Sequence, residues 1–177
     1  ARPSKPLGVR LACPGGFDSH APPPIQMEAL TRREQLVEAL AAGHRPRKEW
    51  ALGLEFEQFV TDADCRPRQY SGPGGVEELL GKLADRTGWT PATEGGRVLG
   101  LNAADGRAVT LEPGAQLEFG SRPELSLAAL ETQLREYCGH LRALADETGA
   151  RFLAVGAHPM ASPDDLDLVD DFRVQWE

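Results

Sequence analysis

"VTLEPGAQLEFGS", Val109 to Ser121, reads as two short strands around a Pro113-Gly114 turn, and it carries Glu112, Gln116 and Glu118 among residues that suit a sheet interior. Residues two apart in a strand share a face, so Gln116 and Glu118 point the same way. A second stretch, "WALGLEFEQFV" from Trp50 to Val60, alternates in the same manner. Leu52, Leu54, Phe56 and Gln58 fall on one side, and Glu55, Glu57 and Phe59 on the other. Each acidic pair sits between apolar neighbours, and the nearest cations in the sequence, Arg47, Lys48 and Arg122, lie outside the strands. A carboxylate withdrawn from water without a partner is costly, and a divalent ion would offset that cost. Clustered oxygen ligands suit magnesium, whose remaining ligands are commonly water and nucleotide phosphates. The plainer alternative is a sheet with one solvated face on which these glutamates simply lie; spacing alone leaves both readings open.

Working outward, "LTRREQLVEALAAG" opens with Thr31 and Glu34 in a capping-box pattern and places Leu36, Val37 and Leu40 on one helical face before Gly43. Val76, Leu79, Leu80 and Leu83 mark a second amphipathic helix that stops near Gly88. "RVLGL" and "AVTL" flank "NAADG", which suggests a hairpin, and a short strand runs from Gln116 to Phe119. From about Glu124, the series Leu127, Leu130, Leu134, Cys138, Leu141 and Ala145 keeps helical spacing until Gly149, after which "RFLAVGA" reads as a buried strand. Hairpin pairing without a regular βαβ rhythm predicts an α+β fold with a mainly antiparallel sheet flanked by helices.

Residues 1 to 28, rich in Pro and Gly, read as a loosely ordered arm, residues 29 to 160 as the folded unit, and 161 to 177 as an acidic tail. A formal net charge of −8 over 177 residues argues against a nucleic-acid partner, and no apolar run is long enough for a membrane helix. Cys13, Cys65 and Cys138 are widely spaced and signal neither disulfides nor a zinc site, so reduced thiols in the cytosol are expected. Gly81-Lys82 lacks the Ser or Thr of a phosphate loop, and His20, His44, His140 and His158 are scattered, which favours surface or core roles over metal binding.

Several ordered motifs together resemble the plant and proteobacterial type of glutamate-cysteine ligase. "ALTRREQLVEALAAGHRPRKEWALGLEFEQF" is similar to that family's opening helix, "G.KP...W" connector and "GTEHEKF" strand, and "RQYSGPGGVEELLGKLADRTGWTPATEGGRVLGL" continues in register. "VTLEPGAQLEFGSRP" resembles "ISLEPGGQFELSGAP", and "HLRALADETGARFLAVGAHP" resembles "HL......GI.FLG.GF.P". The resemblance covers roughly residues 29 to 160. It implies a glutamine-synthetase-like curved sheet, here expected to be incomplete, that binds ATP and magnesium through carboxylates. Glu55 and Glu57 match the paired glutamates of the first strand; Glu112, Gln116 and Glu118 match the polar positions of "EPGGQFE". On this resemblance Glu55, Glu57, Glu112 and Glu118 are expected magnesium ligands, and Glu55, Glu57 and Gln116 expected contacts for ATP.

The implied reaction phosphorylates the side-chain carboxylate of glutamate and lets the cysteine amine displace phosphate, giving γ-glutamylcysteine for glutathione or related thiol biosynthesis. Alternatives are a ligase for a different amine, and a fragment or diverged subunit that binds magnesium-ATP without turnover. The family's greater length predicts that this chain alone does not turn over, and that self-association or a missing C-terminal half completes its sheet. Four departures stand out: Phe56 replaces the His, and Gln58 the Lys, of "EHEKF", Ala115 replaces the second Gly of "EPGG", and "FGSRP" replaces "LSGAP". Loss of the Lys would remove a positive charge beside a phosphate, and Ala115 would resist a positive φ.

Overall fold

A computed structural model of the chain describes residues 32–166. Its elements run α1 (Arg33–Ala42), β1 (Glu55–Thr61), α2 (Val76–Thr87), β2 (Thr90–Glu94), β3 (Arg97–Asn102), β4 (Ala108–Glu112), β5 (Gln116–Gly120), α3 (Leu127–Thr148) and β6 (Arg151–Leu153). The strands form one open sheet in the order β2-β3-β4-β5-β1-β6, with every neighbouring pair antiparallel. This is the expected α+β class. The arm of residues 1 to 28 and most of the acidic tail fall outside the described residues. None of the described helices is long and apolar enough to cross a membrane.

One face of the sheet makes the core. Val60, Leu101, Val109, Leu111, Leu117 and Phe119 pack against Val76, Leu79, Leu80 and Leu83 of α2 and Tyr137, Leu141 and Leu144 of α3. Phe119 stacks on Tyr137 with ring centroids 4.5 Å apart. Gln58 belongs to this face as the alternation predicts: it is buried, donates to the Phe56 carbonyl, and accepts the Tyr137 hydroxyl at 3.1 Å. The Gln58 side chain therefore lies on the core side of β1, away from the glutamates. Its exchange for the family's Lys acts on the core and removes nothing from the acidic face.

The hairpin at "NAADG" forms as expected, with Asn102 opposite Ala108. β2 is a strand that the sequence reading leaves out. It contains Pro91, which lacks a ladder donor and suits only an edge, and it turns into β3 through Gly95 and Gly96, both at positive φ. The register between β2 and β3 shifts at Ala92/Thr93, setting Val98 rather than Leu99 opposite Thr93. At this bulge the Tyr70 hydroxyl donates to the Val98 carbonyl at 2.8 Å, and Glu77 accepts the Val98 N–H at 3.2 Å, so the disturbed backbone keeps its hydrogen bonds. Burial, then the neighbouring Glu77, push the Tyr70 hydroxyl up to about 12.

Other expectations need correction. In α1 no residue is buried, and Leu36, Val37 and Leu40 are exposed, so this apolar stripe is not part of the chain's own core. The start is held by the Arg32 N–H donating to Gln35 Oε1, while Thr31 lies outside the described residues. β1 begins at Glu55, not Ala51; before it, Leu52 makes only an isolated bridge to Glu124. The buried stripe of α3 is Leu130, Gln133, Tyr137, Leu141 and Leu144, displaced from the predicted series, and Leu127 is exposed. Gln133 is buried because its amide and carbonyl meet the Arg122 backbone and Glu124. β6 is a three-residue edge strand, exposed or half-buried rather than fully buried.

Ala115, 1 % exposed, has φ 56, the left-handed conformation at which the family's Gly carries no strain. That strain is worth about 1 to 2 kcal/mol. Ala115→Gly would relieve it but lose a buried methyl, about 0.8 kcal/mol, and loosen the unfolded chain by about 0.4 to 1 kcal/mol. The opposing effects nearly cancel, so urea denaturation should place this variant within about 1 kcal/mol of the parent. Gly100 behaves differently: a Cβ there would stand 2.4 Å from the Val109 carbonyl oxygen. Gly100→Ala should cost at least about 2 kcal/mol in the same measurement, since only backbone movement relieves the contact.

Candidate functional site

The second face of the sheet collects the acidic residues. Glu57 lies directly opposite Glu118, Glu55 opposite Gly120, and on the other side of β5, Thr110 opposite Glu118 and Glu112 opposite Gln116. Cross-strand partners share a face, so Glu55, Glu57, Thr110, Glu112, Gln116 and Glu118 all project from the side opposite α2 and α3. Glu55 and Glu57 are exposed, while Glu112, Gln116 and Glu118 are half-buried. All five sequence-predicted site residues are thus gathered on three adjacent strands.

Two of the polar contacts organise this face. Thr110 Oγ1 donates to Glu118 Oε1 at 3.3 Å, and Gln116 Nε2 donates to the Pro113 carbonyl at 3.0 Å. Burial pushes the Glu118 carboxyl up from its usual range, and Glu112, Glu55 and Glu57 push it the same way, against the hydrogen bond from Thr110. Arg122 and Arg107, the basic residues nearest in sequence to β4 and β5, spend their charge on Glu124, Asp105 and Glu136. The face therefore concentrates negative charge, and these two arginines are engaged elsewhere.

Its donors are carboxylate and amide oxygens, the chemistry that suits a hard divalent cation. Among the described residues, however, no three His, Cys, Asp or Glu side chains are arranged to hold a metal ion as they stand. The backbone fixes the row of donors, and exposed side chains of Glu55 and Glu57 have the rotamer freedom to turn toward an ion. Thr110 is a member of this face that the sequence reading missed. Its signal was present: it stands two residues before Glu112 in "VTLE", on the same side of one strand. Cys65 and Cys138 are free thiols and lie apart from the site, and Cys13 is outside the described residues.

The model of the glutamate-cysteine ligase family 2 (GCS2) matches residues 51–176, most of the chain. The chain belongs to this family. Its relatives include glutamate-cysteine ligase A of Oryza sativa subsp. japonica, 28 % identical over 165 residues, which cover 91 % of this chain and 33 % of the relative. The ligase of Brassica juncea is 31 % identical over 143 residues, covering 80 % of this chain and 27 % of the relative. That of Arabidopsis thaliana is 30 % identical over 150 residues, covering 84 % and 28 %. The chain thus spans about a third of the length of the curated relatives it matches.

All three of these ligases are named as chloroplastic, and that finding overturns the expectation of a cytosolic protein. The physical reason for the error is plain: cysteine spacing separates oxidising from reducing compartments and carries no information on which reducing compartment is used.

The raised Glu118 carboxyl makes a testable link to stability. A carboxyl with a higher pKa folded than unfolded binds its proton more tightly in the native state, so stability falls as pH rises from the unfolded value through the folded one. Glu118→Gln removes that penalty. The variant should gain stability over the parent at pH 7 and lose the gain near pH 4, as read from urea midpoints at the two pH values; a constant difference would mean that neither burial nor the neighbouring carboxylates shift Glu118.

Proposed function

We propose that this chain supplies the acidic, magnesium- and ATP-holding face of a ligase that joins the side-chain carboxylate of glutamate to the amine of cysteine, forming γ-glutamylcysteine through an acyl phosphate. The observation that carries the reading is the strand register. It sets Glu57 against Glu118 and places Glu112 and Gln116 one row further along the same face, with Glu55 one row back. Family membership supplies the reaction class, since the relatives are named as glutamate-cysteine ligases.

In this reading Glu55, Glu57, Glu112 and Glu118 hold magnesium, which when bound neutralises phosphate charge during phosphoryl transfer. Gln116 orients a phosphate or sugar oxygen by hydrogen bonding, and Thr110 keeps Glu118 facing the same row. The carboxylates serve as ligands rather than as acid or base catalysts. Exposed Leu36, Val37, Leu40, Leu52 and Leu125, together with the chain's share of its relatives' length, support further polypeptide of the same family as the partner that covers the remaining apolar surface.

Isothermal titration of the purified chain with ATP and magnesium tests the site. Glu57→Ala and Glu118→Ala should each weaken binding by about tenfold or more, whereas Glu131→Ala, on the exposed side of α3 and paired with Arg135, should leave it unchanged. Equal affinities for all three would remove the reading. EDTA should abolish nucleotide binding while the circular dichroism spectrum and its thermal midpoint stay in place, because the core is built on the other face of the sheet. Cooperative unfolding on chelation would instead make the metal structural.

A further inference from the structure

His158 Nε2 is buried and has no hydrogen-bond partner among the described residues. The other ring nitrogen is fully engaged: Nδ1 accepts the Met160 N–H at 3.2 Å and the Ala161 N–H at 3.0 Å. An Nδ1 that accepts carries no hydrogen, so the neutral ring bears its proton on Nε2, and the unpartnered atom is a donor. A buried donor left unmatched is costly and calls for an explanation in the function of the site.

Its position supplies one. The His158 ring meets Phe59 edge-on, with centroids 5.1 Å apart. Phe59 is two residues from Glu57 and shares its face of β1, while Phe56 and Val60 pack on the core side. Extending the β1–β5 register by one residue past Gln58 opposite Leu117 sets Phe59 beside Gln116, the row that also contains Glu112. From there the chain continues to Leu166, whose side chain would lie 3.1 Å from a Cβ on Gly114, and the Asp165 carbonyl accepts from Gln69. The segment after β6 therefore passes from Phe59 to the β4–β5 turn, at the Gln116 end of the acidic face, with His158 against Phe59. Val155 and Met160, on either side of the histidine in the sequence, are exposed.

We propose that His158 donates its Nε2 hydrogen to an anionic oxygen of the ligand held by the acidic face, either a phosphate oxygen of ATP or a carboxylate oxygen of glutamate, and so fixes the ligand's orientation at the turn end. The inference rests on the reading of the face as an ATP- and metal-holding site. A surface made of glutamates repels the anions it must hold, and a neutral N–H donor can approach an anionic oxygen without competing with carboxylates for a cation.

The test uses the 177-residue chain. His158→Asn keeps an acceptor for the two backbone N–H groups but cannot reach as far as Nε2, whereas His158→Gln can place an amide N–H near that position. Nitrogen-15 NMR of the histidines should show the Nε2–H tautomer in the free chain, and the His158 signal should move on addition of magnesium-ATP or of glutamate, the arm that moves identifying the oxygen's source. By titration calorimetry His158→Asn should bind that ligand about tenfold more weakly with an unchanged thermal midpoint, and His158→Gln should stay within about threefold of the parent. An Nδ1–H tautomer overturns the inference, as does equal loss in both variants, which would assign His158 to loop structure alone. If His158→Asn binds both ligands like the parent while Glu118→Ala does not, the inference falls and the acidic site stands. If the parent binds neither ligand, the site reading and the inference fall together.

Discussion

The pairing of β1 with β5 joins segments some sixty residues apart and fixes which side chains meet on each face. Gln58 opposite Leu117 belongs to the core, and Glu57 opposite Glu118, one step along, belongs to the open face. Because the side-chain period of a strand is two, a slip of a single residue would turn the glutamates toward α2 and α3 and expose Leu117 and Phe119. The core resists that slip through Phe119 stacked on Tyr137 and Tyr137 bonded to Gln58, so the contacts that stabilise the sheet are also the ones that align the acidic row. Folding and site assembly share one register.

This coupling explains what could be read from the sequence. The alternation of "LEFEQF" and "QLEF" is local and strong, and it correctly sorted Glu55, Glu57, Gln116 and Glu118 from their apolar neighbours. The Val76, Leu79, Leu80, Leu83 stripe of α2 is equally plain, and its stop at Gly88, φ 73, follows from left-handed capping. The failures involve residues whose burial depends on distant partners. Gln133 and Tyr137 enter the core because Arg122, Glu124 and Gln58 satisfy their polar atoms, and a polar residue in a helical stripe gives no sign of such partners from spacing alone. β2 is polar and contains Pro, so only its pairing with β3 makes it a strand. Conversely α1 has a regular apolar stripe whose Leu36, Val37 and Leu40 stay exposed among the described residues. His158 was one of several scattered histidines, and its placement depends on the loop after β6 folding back across Phe59.

The electrostatics of the open face depend on how unequally its carboxylates are exposed. Two unit charges about 4 Å apart repel by about 1 kcal/mol in water and several times that near a protein surface of lower effective dielectric. Glu55 and Glu57 are exposed and can turn apart into solvent; Glu118 is half-buried in the middle strand and held by Thr110, so burial first, and the neighbouring carboxylates second, push its carboxyl up. The arrangement therefore concentrates the demand for positive charge at one point, in the centre of the row.

It follows that the fold can tolerate this row without a cation. The apolar contacts that stabilise the chain lie on the other face, and the exposed Glu55 and Glu57 side chains can reorient in solvent. A metal centre that held the chain together would place its ligands at junctions between elements that otherwise lack a core. Here the carboxylate oxygens stand on strands already aligned by Leu117, Phe119 and Val109, so under the proposed function an ion would meet donors whose backbone positions are set and whose side chains still have to close around it. On the proposed function, rigid placement of the strands with rotatable carboxylate ends suits an ion that would arrive with its nucleotide.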